Sequence, residues 1–187
     1  AAVVARSIDG GPAHPDEWDP RVAELAAFVE QARDLEFDHP VYVDFLSAAD
    51  YTAATTTEEE SLDEAGRTEL DRYAGQLRAL GVATGEVDLF RAYNQVSDDG
   101  TLAFYDPTEH RVKVRGTELT VGLRVTLVHE LTHALQDQHF PIDRLYSDEI
   151  DDSEAVALRA LIEGDAMRIE QQYADEERSE AEQEDYD

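Results

Sequence analysis

Three observations predict an α+β fold that is mostly helical, with a small antiparallel β-hairpin. Apolar residues recur at helical spacing over several long segments. A short run of β-branched and aromatic residues follows His39-Pro40. Two alternating segments also flank Asp106-Pro107-Thr108-Glu109, a sequence suited to a turn.

Residues 1–20 carry Gly10-Gly11-Pro12, Pro15 and Pro20 without sustained periodicity, and read as an extended lead-in. A single domain is expected over 21–175. Pro20 suits a helix start, and Val22, Leu25, Ala26 and Val29 follow at helical spacing to about Leu35. Val41–Leu46 reads as a strand. A helix is predicted over 57–80, with Glu58, Glu59 and Glu60 near the positive end of its dipole and Gly81 as its stop. A shorter helix over 86–96 ends in a turn at Ser97-Asp98-Asp99-Gly100. The hairpin pairs Leu102–Tyr105 with Arg111–Arg115. An apolar helix over 118–138 follows, and a last helix runs from Ser153 to Tyr173, with Asp151 and Glu154 at capping-box spacing. Residues 176–187 read as a frayed acidic tail.

The 187 residues include 44 Asp+Glu and 15 Lys+Arg, a formal charge of −29. No cation surplus exists to displace phosphate counterions, so nucleic acid is excluded as a general partner. No apolar run approaches the roughly 20 residues that cross a bilayer. Lys113 is the only lysine and cysteine is absent, which removes thiolate ligands, disulfides and a cysteine nucleophile. Excess carboxylate with arginine almost alone as the cation resembles proteins of extreme halophiles, haloarchaea in particular; an acidic protein of a GC-rich genome, where Arg codons displace Lys, is the alternative. Ala1–Ala5 is too short for a signal-peptide core, and the missing initiator Met is read as processing or trimming of the chain, which leaves a lost targeting segment open. The location stays open between an extracellular or cell-surface one, which loss of a targeting segment would favour, and a cytoplasmic one.

The helix over 118–138 contains His129-Glu130-Leu131-Thr132-His133. Histidines four residues apart project from one face, so both imidazoles reach one metal ion. Zinc takes such nitrogen donors in a tetrahedron with one position open to water, and Glu130 stands beside that water as general base. A third ligand must be a carboxylate. Glu163 is the candidate, a lone acid amid Val156, Leu158, Leu161 and Ile162, with an ion pair to Arg159 or Arg168 as its ordinary alternative. Gly164 and Ala166 would let that helix approach another closely. Asp165 lies about 200° around the helix from Glu163, so it either orients a histidine or is a surface acid. His110 and His139 read as solvent-facing or supporting histidines. The acids Asp148, Glu149, Asp151 and Asp152 lack calcium-loop spacing and read as solvated surface.

Phe104–Pro107, the block Val128–Phe140 and Leu161–Ala166 together resemble a family of largely uncharacterised prokaryotic zinc peptidases of the gluzincin type. The resemblance covers about residues 100–170. It implies a zincin-like fold with the hairpin beside the active-site helix, and one Zn²⁺ per chain held by His129, His133 and Glu163. It further implies Glu130 as general base and a peptide or protein as substrate, paired along the hairpin's edge strand. Gluzincins often carry a later Tyr or His that stabilises the tetrahedral intermediate. The chain extends only 24 residues past Glu163, leaving Tyr105, Tyr146 and Tyr173 as substitutes. A catalytically inactive or latent zinc-binding interaction module is the alternative reading.

The charge yields a prediction of its own. Self-repulsion among the acids is screened by salt, so the thermal midpoint should rise between low and molar NaCl; a flat profile would reject the halophilic reading.

Overall fold

A computed structural model of the protein describes residues 13–56, 63–99, 101–140, 142, 145 and 150–184. In order, the elements are α1 (Ala23–Arg33), β1 (Tyr42–Leu46), α2 (Ala48–Thr55), α3 (Glu64–Ala79), α4 (Leu89–Asp99), β2 (Ala103–Asp106), β3 (Arg111–Arg115), α5 (Val121–His139) and α6 (Asp152–Glu184). The architecture is mixed α+β and mostly helical, with one small mixed sheet. The chain forms two compact units, Leu46–Thr101 and the remainder.

The first unit is built around α5. The apolar stripe of α1 (Val22, Leu25, Ala26, Val29) meets Leu123, Leu127, Val128, Leu131, Ala134 and Leu135 of α5 in one core, joined by Ile169 and Tyr173 of α6. The sheet contributes Val41, Ala103, Val112 and Val114. Strand order is β1-β3-β2, which leaves β2 at an edge. The hairpin register pairs Ala103 with Val114 and Asp106 with Arg111, antiparallel as predicted. β1 adds to β3, so the sheet has three strands and is mixed rather than a purely antiparallel hairpin. That pairing joins segments some seventy residues apart, which alternation within a strand does not reveal.

Caps set the boundaries of the two long helices. Thr120 Oγ1 accepts from the Leu123 N–H at 3.2 Å and starts α5. At α6, Asp151 Oδ1 accepts from the Ser153 and Glu154 amides, and Glu154 Oε2 accepts from the Asp151 N–H, completing the predicted capping box. The end of α6 differs from expectation: the helix passes Tyr173 and continues to Glu184. Arg124 of α5 explains part of the extension, because its guanidinium bonds the Tyr173 hydroxyl at 2.8 Å and pairs with Glu177 at 3.0 Å. Side-chain bonds from Gln171 to Asp175 and from Gln172 to Glu176 add support one turn apart.

The second unit contains α2, α3 and α4. α3 starts at Asp63, whose side chain accepts from the Gly66 N–H, and Gly81 follows its end at φ +72°. The predicted start of this helix at 57–62 lies outside the described residues, as do residues 1–12 of the lead-in. α4 continues through Asp99, where a turn from Ser97 was expected. α2 was not predicted; Ser47 caps it, accepting from the Asp50 N–H at 3.2 Å. Among the described residues no helix is long and apolar enough to cross a membrane.

Because α5 is covered on three sides, its core positions should dominate the stability of the first unit. Leu131→Ala should cost about 2–5 kcal/mol, whereas Val156→Ala on the exposed face of α6 should cost under about 0.5 kcal/mol. Urea denaturation of the two variants checks the contrast.

Candidate metal centre

Burial on α5 leaves one stripe open. The fully buried positions Leu123, Leu127, Val128, Leu131, Thr132, Ala134 and Leu135 wrap most of its circumference. His129, Glu130, His133 and Asp137 occupy the remaining arc at 3.6 residues per turn. The same helix therefore serves as the core's central pillar and presents the polar motif on a partly buried face.

Across that stripe stands Glu163 of α6. The Nε2 atoms of His129 and His133 lie 3.0 Å apart, and Glu163 Oε2 is 3.4 Å from the first and 3.5 Å from the second. A tetrahedral ion with donor bonds of about 2.0–2.1 Å sets its ligands about 3.3–3.4 Å apart. His129, His133 and Glu163 thus form a group that could hold a metal ion. Among the described residues the ion-pair partners of Glu163 are these two imidazoles; Arg168 pairs instead with Asp165 at 3.5 Å.

The outer nitrogens fix the tautomers. His129 Nδ1 donates to Glu170 Oε2 at 2.8 Å. His133 Nδ1 donates to Gln136 Oε1 at 2.9 Å, while the Gln136 Nε2 donates to the Ile162 carbonyl at 3.0 Å and to Asp165 Oδ2 at 2.9 Å. Arg33 Nε of α1 lies 2.8 Å from the same Asp165 oxygen, an ion pair without hydrogen-bond geometry. With both Nδ1 atoms spent as donors, both Nε2 lone pairs face inward, the state a metal requires. Asp165 therefore orients a histidine at one remove, through Gln136. Of the two small residues predicted to permit close helix approach, Ala166 is fully buried, whereas a side chain added at Gly164 would meet nothing within 4 Å.

Electrostatics agree with this division of labour. Burial disfavours a charged His133, but the hydrogen bond to Glu163 and the nearby Glu130 carboxylate outweigh it, and its pKa rises. Glu163 is held below its ordinary value, first by its hydrogen bond with His133 and against the pull of burial. Burial pushes Glu130 upward, only partly offset by the two imidazoles and the Tyr105 N–H, which donates to Glu130 Oε2 at 2.7 Å.

Glu170, Gln136 and Arg33 were not identified from the sequence. Glu170 lies seven residues from Glu163 and thus on the same face of α6, a spacing that nothing else in so acidic a chain sets apart. Of the tyrosines considered as stabilisers, Tyr105 donates its hydroxyl to Asp137 and Tyr173 donates to Glu177; Tyr146 lies outside the described residues. His139 Nε2 bonds the Glu36 carbonyl at 2.7 Å, and His110 bonds Asp137, so neither joins the triangle. Asp151 caps α6, and Asp148 and Glu149 lie outside the described residues. No known protein family, curated protein or solved structure matches the chain.

In the metal-free protein His133, with its raised pKa, contributes stability that is full below the ordinary 6.5 and is lost as pH rises through the folded value. Glu163, with its lowered pKa, contributes above the ordinary 4.5, a gain lost as pH falls through its depressed value. A metal must displace the His133 proton, so binding should release more protons per ion at pH 6 than at pH 9. Calorimetry in buffers of different ionisation enthalpy measures this; equal release at both pH values would contradict the assignment. Glu170→Ala and Gln136→Ala should each weaken metal affinity about 10–100-fold, read by competition with a chromophoric chelator.

Proposed function

We propose that the chain is a zinc-dependent peptidase of the gluzincin type with a zincin-like fold. The observation that carries this reading is the triangle of His129, His133 and Glu163 with the buried carboxylate of Glu130 next in sequence to the first ligand. Zinc suits the set, because two neutral imidazoles and one carboxylate match its preference for nitrogen and oxygen donors and leave the fourth tetrahedral position open. When bound, the ion supplies Lewis acidity, which lowers the pKa of a water and polarises a substrate carbonyl.

The chain's own residues do the rest. His129, His133 and Glu163 hold the ion, and Glu170 and Gln136 keep both rings turned toward it. Glu130 takes a proton from the attacking water and passes it to the leaving amine. Burial raises the proton affinity of Glu130, which suits a carboxylate that must accept a proton near neutral pH. β2 is an edge strand of the sheet, the place where an extended peptide would pair. Activity falls in acid, as protons compete for the two imidazoles.

One observation favours a second reading, a zinc-binding interaction module without turnover. The phenols of Tyr105 and Tyr173 are both committed to carboxylates, so neither is free to stabilise an oxyanion. A single experiment separates the two. Protein purified in high salt is analysed for metal and then incubated with a peptide library, with Glu130→Gln as control. The peptidase reading expects about one zinc per chain and cleavage that falls at least about 10²-fold in Glu130→Gln. Cleavage unaffected by Glu130→Gln would sink the mechanism. Zinc without cleavage would support the interaction module.

A further inference from the structure

Tyr105 is bonded at both ends to one face of α5. Its backbone N–H donates to Glu130 Oε2 at 2.7 Å, and its hydroxyl donates to Asp137 Oδ2 at 2.6 Å. Glu130 and Asp137 are seven residues apart, so they lie on one line along the helix, about 10.5 Å from each other. The Asp137 side chain is only 8% exposed, and the same Oδ2 accepts from His110 Nδ1 at 2.8 Å. His110 holds φ at +51°, in the left-handed region that residues other than glycine seldom occupy. Its ring reaches Asp137 from that backbone.

The hairpin does not need Asp137 to form. Asp106 Oδ1 accepts from the Thr108 and Glu109 amides at 3.0 and 3.1 Å, and Lys113 Nζ ties Asp106 and Glu109 together at 2.9 and 3.0 Å. Arg115 N–H donates to the Leu102 carbonyl at 2.9 Å, and Ala103, Val112 and Val114 sit in the core. What Asp137 adds is the attachment of the hairpin's turn end to α5, at one defined height along that helix.

We propose that Tyr105, anchored through its phenol by Asp137 and His110, is a positioning residue that sets where β2 delivers its amide to the Glu130 carboxylate. The consequence for catalysis rests on Glu130 acting as proton acceptor; the bracket itself does not. A carboxylate in a buried site needs a donor on one oxygen to keep the other aimed, and a rigidly placed amide supplies it without a mobile side chain.

Amide hydrogen exchange of the metal-free protein, followed by NMR, reads the Tyr105 N–H directly. Tyr105→Phe keeps the ring and removes the anchor, and Asp137→Ala removes the acceptor. Both should speed exchange at residue 105 about tenfold or more, while the Arg115 amide in the same hairpin keeps its protection. Asp137→Asn retains an acceptor oxygen and should stay within about threefold of the parent. Zinc affinity should change less than about threefold in Tyr105→Phe, since no ligand donor is touched, while kcat falls about 10–100-fold at unchanged KM. Unchanged protection at residue 105 in Tyr105→Phe would overturn the proposal. Equal loss at residue 105 and Arg115 would also overturn it, by showing a merely structural bond. Should Asp137→Ala fail to fold, Tyr105→Phe decides alone. Absence of cleavage by the parent protein would reject the peptidase reading and leave the exchange result standing.

Discussion

Two imidazole nitrogens 3.0 Å apart, each with its lone pair directed at the other, repel unless a positive charge lies between them. The surroundings enforce this confrontation. Glu170 and Gln136 accept the Nδ1 protons from outside, so neither ring can turn its N–H inward without breaking a bond of 2.8 or 2.9 Å. Glu163 completes the demand with a carboxylate oxygen 3.4 and 3.5 Å from the two nitrogens. A proton answers the demand in part: against the opposing pull of burial, the hydrogen bond to Glu163 and the Glu130 carboxylate raise His133 above its ordinary pKa. A metal ion is what this group of three side chains could hold.

The first unit is arranged to hold that geometry. α5 is packed by α1, the sheet and α6, which fixes the axis from which both histidines project. α6 contributes Ile162, Ala166, Ile169 and Tyr173 to burial, and this brings Glu163 and Glu170 along one flank and Asp165 along the other. The link from Arg33 through Asp165 and Gln136 to His133 joins α1 to the metal face, so three helices define one imidazole's position. β2 reaches the same face from the opposite side through Tyr105.

The grouping of His129, His133 and Glu163 was readable from sequence because its signals are local. Histidines four apart declare a shared helical face, and Glu163 stands out as an acid among apolar residues. The hairpin and the capping box of α6 were readable for the same reason. The supporting residues were hidden by composition: Glu170 shares the face of Glu163, but in a chain with 44 acidic residues one more glutamate carries no contrast. Gln136 and Arg33 act across elements, through contacts that only the fold creates. The addition of β1 to β3 is likewise nonlocal. The acid-rich end of α6 misled for a different reason, because charge density suggested fraying while Arg124 and side-chain bonds one turn apart extend the helix. α2 was missed because its Thr residues disfavour helix, although Ser47 supplied the cap signal.

On the proposed reading, His129, His133 and Glu163 together hold one ion. X-ray absorption at the zinc edge of the reconstituted protein tests it most directly. Binding at this triangle gives about four nitrogen or oxygen donors at about 2.0–2.1 Å, with outer-shell scattering from two imidazoles that drops to one in His133→Ala. A six-oxygen shell without imidazole scattering, or a spectrum unchanged by His133→Ala, would contradict it.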